Sequence, residues 1–126
     1  MSVKKSLSYM TLGFVLAGMI SSCKKDHTPI TETQTINETI ANNSDYTFDL
    51  GSFGDEEGAS ISRQALHYQE SSLNRENTGS VTYHYQPLSD YIGTDEVQLK
   101  SEKGSNGESA NNKILLTTIK FMIVTR

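Results

Sequence analysis

One cysteine, no tryptophan and two prolines are what 126 residues offer of the residue types that staple, plug or break folds. A lone thiol excludes an intramolecular disulfide, so any domain must stand on its own core. Without tryptophan, the large core side chains have to come from six tyrosines and four phenylalanines. Hydrophobic residues reach only 35%, which is low for a globular chain and points to a polar segment outside the core. Positive charge is also scarce. Beyond residue 22, nine basic side chains oppose fifteen acidic ones, a net of −6. Phosphate binding draws on clustered Lys and Arg, so nucleic acid is excluded as the expected partner. The acidic balance suits solubility or a divalent cation and establishes neither.

A long apolar run is missing too. A membrane-spanning helix needs about 20 apolar residues, whereas residues 7–20 (LSYMTLGFVLAGMI) give a stretch of 14 that contains Ser8 and Thr11. Lys4 and Lys5 precede it, and small Ser21 and Ser22 follow. That order is the order of a secretory signal. The segment Ile20-Ser21-Ser22-Cys23 resembles the lipobox of bacterial lipoproteins, with an aliphatic residue three before the cysteine and small residues between. The resemblance implies a cut before Cys23, a diacylglyceryl group on its thiol and an acyl group on the new amino terminus, with no other cofactor. Two or more acyl chains anchor stably, at about 0.8 kcal/mol per buried methylene. Lys24-Lys25-Asp26 carries no acid directly after the cysteine. By the same resemblance this points to the cell envelope and to the outer membrane, the periplasmic or surface face being left open.

Three regions are expected: a signal peptide at 1–22, a lipidated Cys23 with a flexible tether to 44, and a domain at 45–126. Residues 24–44 are rich in Thr, Asn and Glu and cannot bury enough surface to offset their chain entropy. Their end, 35–40, is a candidate edge strand because Ile36 and Ile40 share a parity. From residue 45 the pattern has period two. Tyr46, Phe48 and Leu50 alternate with polar residues, as do Val81, Tyr83 and Tyr85, and Val97 and Leu99. Residues 59–65 form a weaker strand about Ile61, and 66–77 read equally as strand or loop. Residues 114–124 (ILLTTIKFMIV) are long enough for a helix, but their β-branched content favours a strand. Six to seven short strands with polar turns predict an all-β, antiparallel β-sandwich.

One motif stands out within it, Tyr85-Gln86-Pro87 followed by Tyr91-Ile92-Gly93-Thr94-Asp95. It resembles the Ig-like, cadherin-like modules of bacterial surface proteins, whose recurring pattern is Tyr-x-Pro, a short loop, an aromatic, then x-Gly-Thr-Asp. The likeness spans about residues 79–125 and departs in a long polar hairpin (KGSNGESANNK) and in the single copy. It implies an immunoglobulin-like sandwich. The residues also make sense alone. Pro87 lacks a donor and suits a strand exit. Tyr91 can plug an end of the sandwich, Gly93 allows a positive φ, and Asp95 can accept backbone N–H groups and brace its loop.

Chemistry-bearing patterns are sparse. Asp55, Glu56 and Glu57 cluster at one turn, and Asp90, Asp95 and Glu96 near another, but neither follows the alternating spacing of a calcium loop. His27, His67 and His84 are isolated in sequence, without a zinc-site spacing, and no G-x-S-x-G elbow is present. No metal site and no catalytic residue are therefore expected. The expected function is that of a non-enzymatic interaction module, anchored by lipid and meeting a protein or glycan partner through loops or an edge strand. An accessory lipoprotein binding a ligand or cation is the alternative, and a small envelope hydrolase comes third.

Overall fold

The computed structural model describes residues 28–54, 58–105 and 108–126. The leader, the lipobox with Cys23, and the acidic turn Asp55, Glu56 and Glu57 lie outside the described residues. Seven strands follow in chain order: β1 (Ile30–Ala41), β2 (Tyr46–Ser52), β3 (Gly58–Arg63), β4 (Tyr68–Arg75), β5 (Ser80–Pro87), β6 (Gly93–Ser105) and β7 (Glu108–Val124).

Period-two alternation decides which side chains meet. On β5, Val81, Tyr83, Tyr85 and Pro87 are buried while Thr82, His84 and Gln86 are half-buried. On β6 the buried set is Asp95, Val97, Leu99 and Ser101, and on β7 it is Thr117, Ile119, Phe121 and Ile123. These three strands supply most of the core, and Ala65 joins it from the β3–β4 connection. Phe121 lies at its middle. The Tyr85 ring stacks on it at 4.1 Å, and the Tyr46 ring meets it edge-on at 5.2 Å. Such pairs contribute about 0.5–1.5 kcal/mol beyond area burial, and here they clamp the two layers without a disulfide or a tryptophan.

One sheet has the order β1-β7-β6-β3 and the other β2-β5-β4. This is an immunoglobulin-like sandwich, the all-β class that the alternation predicts. Its first strand has changed sheets. β1 pairs with β7, and the pairing is parallel, from Ile30↔Lys113 to Ala41↔Val124. The expectation of a wholly antiparallel sandwich is corrected at this one pair. The reason is topological, since the chain enters along the last strand and must turn at 42–45 to begin β2. Asn42 N donates to Val124 O and Ser44 N to Ala41 O at that turn.

Other boundaries also shift. β1 begins at Ile30, so the candidate edge strand at 35–40 is real and extends five residues earlier, into the stretch expected to be tether. The ambiguous 66–77 contains a true strand, β4, antiparallel to β5. β6 and β7 run on well past their apolar parts, pairing out to Ser105↔Glu108. Ladder hydrogen bonds carry that extension, which is why hydropathy does not reveal it.

Candidate functional site

Asp95 is buried, yet it is a carboxylate in a core. Its two oxygens are filled. Oδ1 accepts from Leu66 N and from its own neighbour Glu96 N, both at 2.9 Å. Oδ2 accepts from His67 N at 2.8 Å and from the Tyr85 hydroxyl at 2.9 Å. A buried charge is tolerated when hydrogen bonds replace its water in this way. The sequence expectation, that Asp95 braces its own loop, is refined: two of its donors come from the β3–β4 connection, about thirty residues earlier.

The rest of the motif gathers around this contact. Pro87 is buried as the last residue of β5. The chain then turns, with Tyr91 N donating to Leu88 O and Asp90 in the left-handed region at φ 65°. Gly93 has φ 144°, and a Cβ there would stand 3.0 Å from the Tyr91 hydroxyl oxygen, so only glycine fits both backbone and neighbour. That hydroxyl donates to the carbonyl of Thr94. The Tyr91 ring stacks on His67 at 4.1 Å, nearly parallel. Tyr91 thus covers a histidine at the end of the sandwich, and His67 Nδ1 is buried without a hydrogen-bond partner, 3.9 Å from Asp95 Oδ1.

Pinning Leu66 and His67 to Asp95 raises one wall of a groove of about 730 Å³. β1, β7 and β6 supply its other walls through Thr39, Met122 and Thr94. Along the outer face of the four-stranded sheet, Lys120 stands opposite Glu96 in the β6–β7 register. Arg63 and Lys120 each pair with a different oxygen of Glu96. Two exposed large apolar side chains border this charged row, Leu66 at 80% exposure and Met122 at 55%. Ile92 and Val124 are exposed too and share the outer parity of Thr94 and Met122.

A second polar cluster buttresses the same loop from beneath. Ser71 Oγ bonds the Tyr83 hydroxyl at 2.7 Å and donates to Gln64 Oε1, which also accepts from Ala65 N. Burial pushes the Tyr83 phenol up to about 12, against the opposing effect of the Ser71 bond. The Tyr85 phenol is pushed higher still, by burial first and then by its bond to the Asp95 carboxylate. Both tyrosines are therefore held as neutral donors.

The structure brings Tyr85, Pro87, Tyr91, Gly93, Thr94 and Asp95 together at one end of the sandwich. It separates the acids that sequence places side by side, because Asp95 faces inward and Glu96 outward on β6. Among the described residues, no three His, Cys, Asp or Glu side chains converge. Arg63, Leu66, His67 and Met122 were not legible as a site. Lys120 and Met122 do fall on the parity opposite Ile119, Phe121 and Ile123, which marks them as outer-face residues, but only the register sets them beside Glu96 and Thr94.

No family model matches the chain. A search of characterised proteins finds no match either. Among solved structures, a cysteine protease inhibitor from Entamoeba histolytica is similar at TM-score 0.49 and 13% identity, over 76% of this chain and 97% of that one. An endo-fucoidan hydrolase of glycoside hydrolase family 107 is similar at TM-score 0.40 and 10% identity, over 75% of this chain and 13% of that one. At these values neither neighbour's activity is carried over to this chain.

Proposed function

We propose that this chain is a non-enzymatic interaction module of the bacterial cell envelope, lipid-anchored through Cys23 at the outer membrane and docking a protein partner on the outer face of its four-stranded sheet. The observation that carries the docking part is the pairing of Leu66 and Met122, two exposed apolar side chains at the mouth of a groove whose wall is fixed by a buried carboxylate. Apolar anchors beside charged groups on a rigid frame are the anatomy of a binding surface. The anchoring part rests on the lipobox resemblance alone.

A second reading, accessory ligand binding, draws on the groove volume, which falls in the range of small-molecule sites. The charges favour the first reading, because Arg63 and Lys120 both face the Glu96 carboxylate, so the row is mixed in sign and does not present a cationic cluster to a small anion.

Photo-reactive residues placed at Leu66 and Met122 test the docking part, with Asn74 on the opposite sheet as control. In intact cells the face positions should give adducts of discrete size and the control none. The same adducts from all three positions would refute a specific face. For the anchor, Cys23→Ala should move the protein to the soluble fraction and abolish fatty-acid labelling, and persistent labelling would contradict the lipoprotein reading.

A further inference from the structure

We propose that the free edge of β1 is a docking strip for an extended, basic segment of a partner protein, which adds to the four-stranded sheet as a fifth strand. This rests on the interaction-module reading and names the partner's chemistry.

β1 is twelve residues long and terminal in its sheet. One backbone edge is bonded to β7, and among the described residues the other has no strand beside it. The other three edge strands, β2, β3 and β4, are six to eight residues long and each carries a register shift in its pairing. β1 pairs with β7 at all twelve positions without a shift. Natural proteins blunt an exposed edge with charged side chains, lysine above all, or with proline, a bulge or brevity. The β1 sequence, ITETQTINETIA, has no lysine, proline or bulge and is long, and its only charges are Glu32 and Glu38. A long, unbulged edge guarded by negative charge alone is a template for adding a strand of the opposite charge.

Charge selects the occupant. β1 carries Glu32 and Glu38 and no cation. The tyrosine of β2 that meets Glu38, Tyr46, donates its hydroxyl to that carboxylate at 3.4 Å and brings no cation to it. Residues 28–126 hold seven basic and fourteen acidic side chains, a net of −7. A second copy of this chain would bring an equally acidic body and strand to the edge, and like charges disfavour that approach. A basic segment is steered towards it. The outer-parity residues Thr33, Thr35, Asn37 and Thr39 are uncharged and exposed, so on that face a partner strand meets only hydroxyl and amide groups.

The test titrates a dodecapeptide of alternating Lys and Thr into the full-length chain at physiological salt, with a Glu–Thr peptide as its counterpart. Two further Lys–Thr peptides carry N-methyl groups on one or the other alternate set of residues. Strand addition uses the N–H groups of one set only, so one methylated peptide should bind as the parent does and the other at least tenfold more weakly. Glu32→Lys should weaken the parent about fivefold, whereas Glu70→Lys, the same charge change on β4, should alter it less than twofold. Equal binding by both methylated peptides, equal effects of the two charge reversals, preference for the Glu–Thr peptide, or no binding at all would each overturn the proposal. None of these touches the wider interaction reading, which stands or falls on the adducts at Leu66 and Met122.

Discussion

The Tyr85 hydroxyl donates to Asp95 Oδ2 at 2.9 Å, and with that bond β5 of one sheet is tied to β6 of the other. The same hydroxyl lies 3.3 Å from the carbonyl of His67, so its single proton has a nearer and a charged acceptor in Asp95. Asp95 in turn holds Leu66 and His67. Sheet packing and groove wall therefore share one carboxylate.

Removing the two ends of this bond should have unequal effects. Tyr85→Phe leaves Asp95 with three backbone donors and keeps the ring stacked on Phe121, so a loss of about 1–2 kcal/mol is expected. Asp95→Ala strands the N–H groups of Leu66, His67 and Glu96 and leaves the Tyr85 hydroxyl only the His67 carbonyl at 3.3 Å, and should cost more than about 3 kcal/mol. Urea denaturation of both variants checks the ranking. Equal losses would mean that the carboxylate is not the hub.

Alkali should unfold the protein through its buried phenols. Tyr46 and Tyr83 are raised from 10 to about 12, in each case chiefly by burial, and Tyr85 is raised further. A folded-state value above the unfolded one means that stability is fully present below pH 10 and is lost as pH rises through 12. The late part of the tyrosinate absorbance should therefore appear together with loss of the β-sheet circular dichroism signal. Complete ionisation while that signal is intact would contradict the assignment.

Strand existence was legible where alternation is strong, as in Tyr46-x-Phe48-x-Leu50 and Val81-x-Tyr83-x-Tyr85, because burial of one face dictates it. β1 was mostly hidden. Only its last part carries the Ile36 and Ile40 parity, and the exposed half, Ile30 to Thr35, is held by ladder bonds to β7 rather than by burial. Asp95 was legible as a brace because its motif is local, but its donors were not, since Leu66 and His67 reach it only through the tertiary fold. The outer-face row of Arg63, Glu96 and Lys120 needs the register between three strands, and no property of those residues in sequence encodes it.

Two glycines make opposite predictions for the same substitution. Gly93→Ala places a methyl group 3.0 Å from the Tyr91 hydroxyl at φ 144°, and should destabilise by roughly 1–3 kcal/mol while displacing Tyr91 from His67. Gly58→Ala meets no atom within 4 Å and should stay within about 0.5 kcal/mol of the parent. Thermal melts of the pair decide the matter. Tolerance at Gly93 would show that the Tyr91 loop is softer than its contacts suggest.

Phe121 and Met122 are neighbours in sequence on opposite faces of β7, and they separate fold from surface. Phe121 is 1% exposed between Tyr85 and Tyr46, so Phe121→Ala should cost about 3–5 kcal/mol by cavity formation. Met122 is outside the core cluster and borders the groove. If its apolar side chain serves a partner, Met122→Ser and Leu66→Ser should each change stability by less than about 0.5 kcal/mol, while the photo-adducts at the neighbouring face position disappear. Urea midpoints give the first quantity and adduct yield the second. A Met122→Ser loss above about 1.5 kcal/mol would assign the methionine to the fold, and the docking face would then lose one of its two apolar anchors.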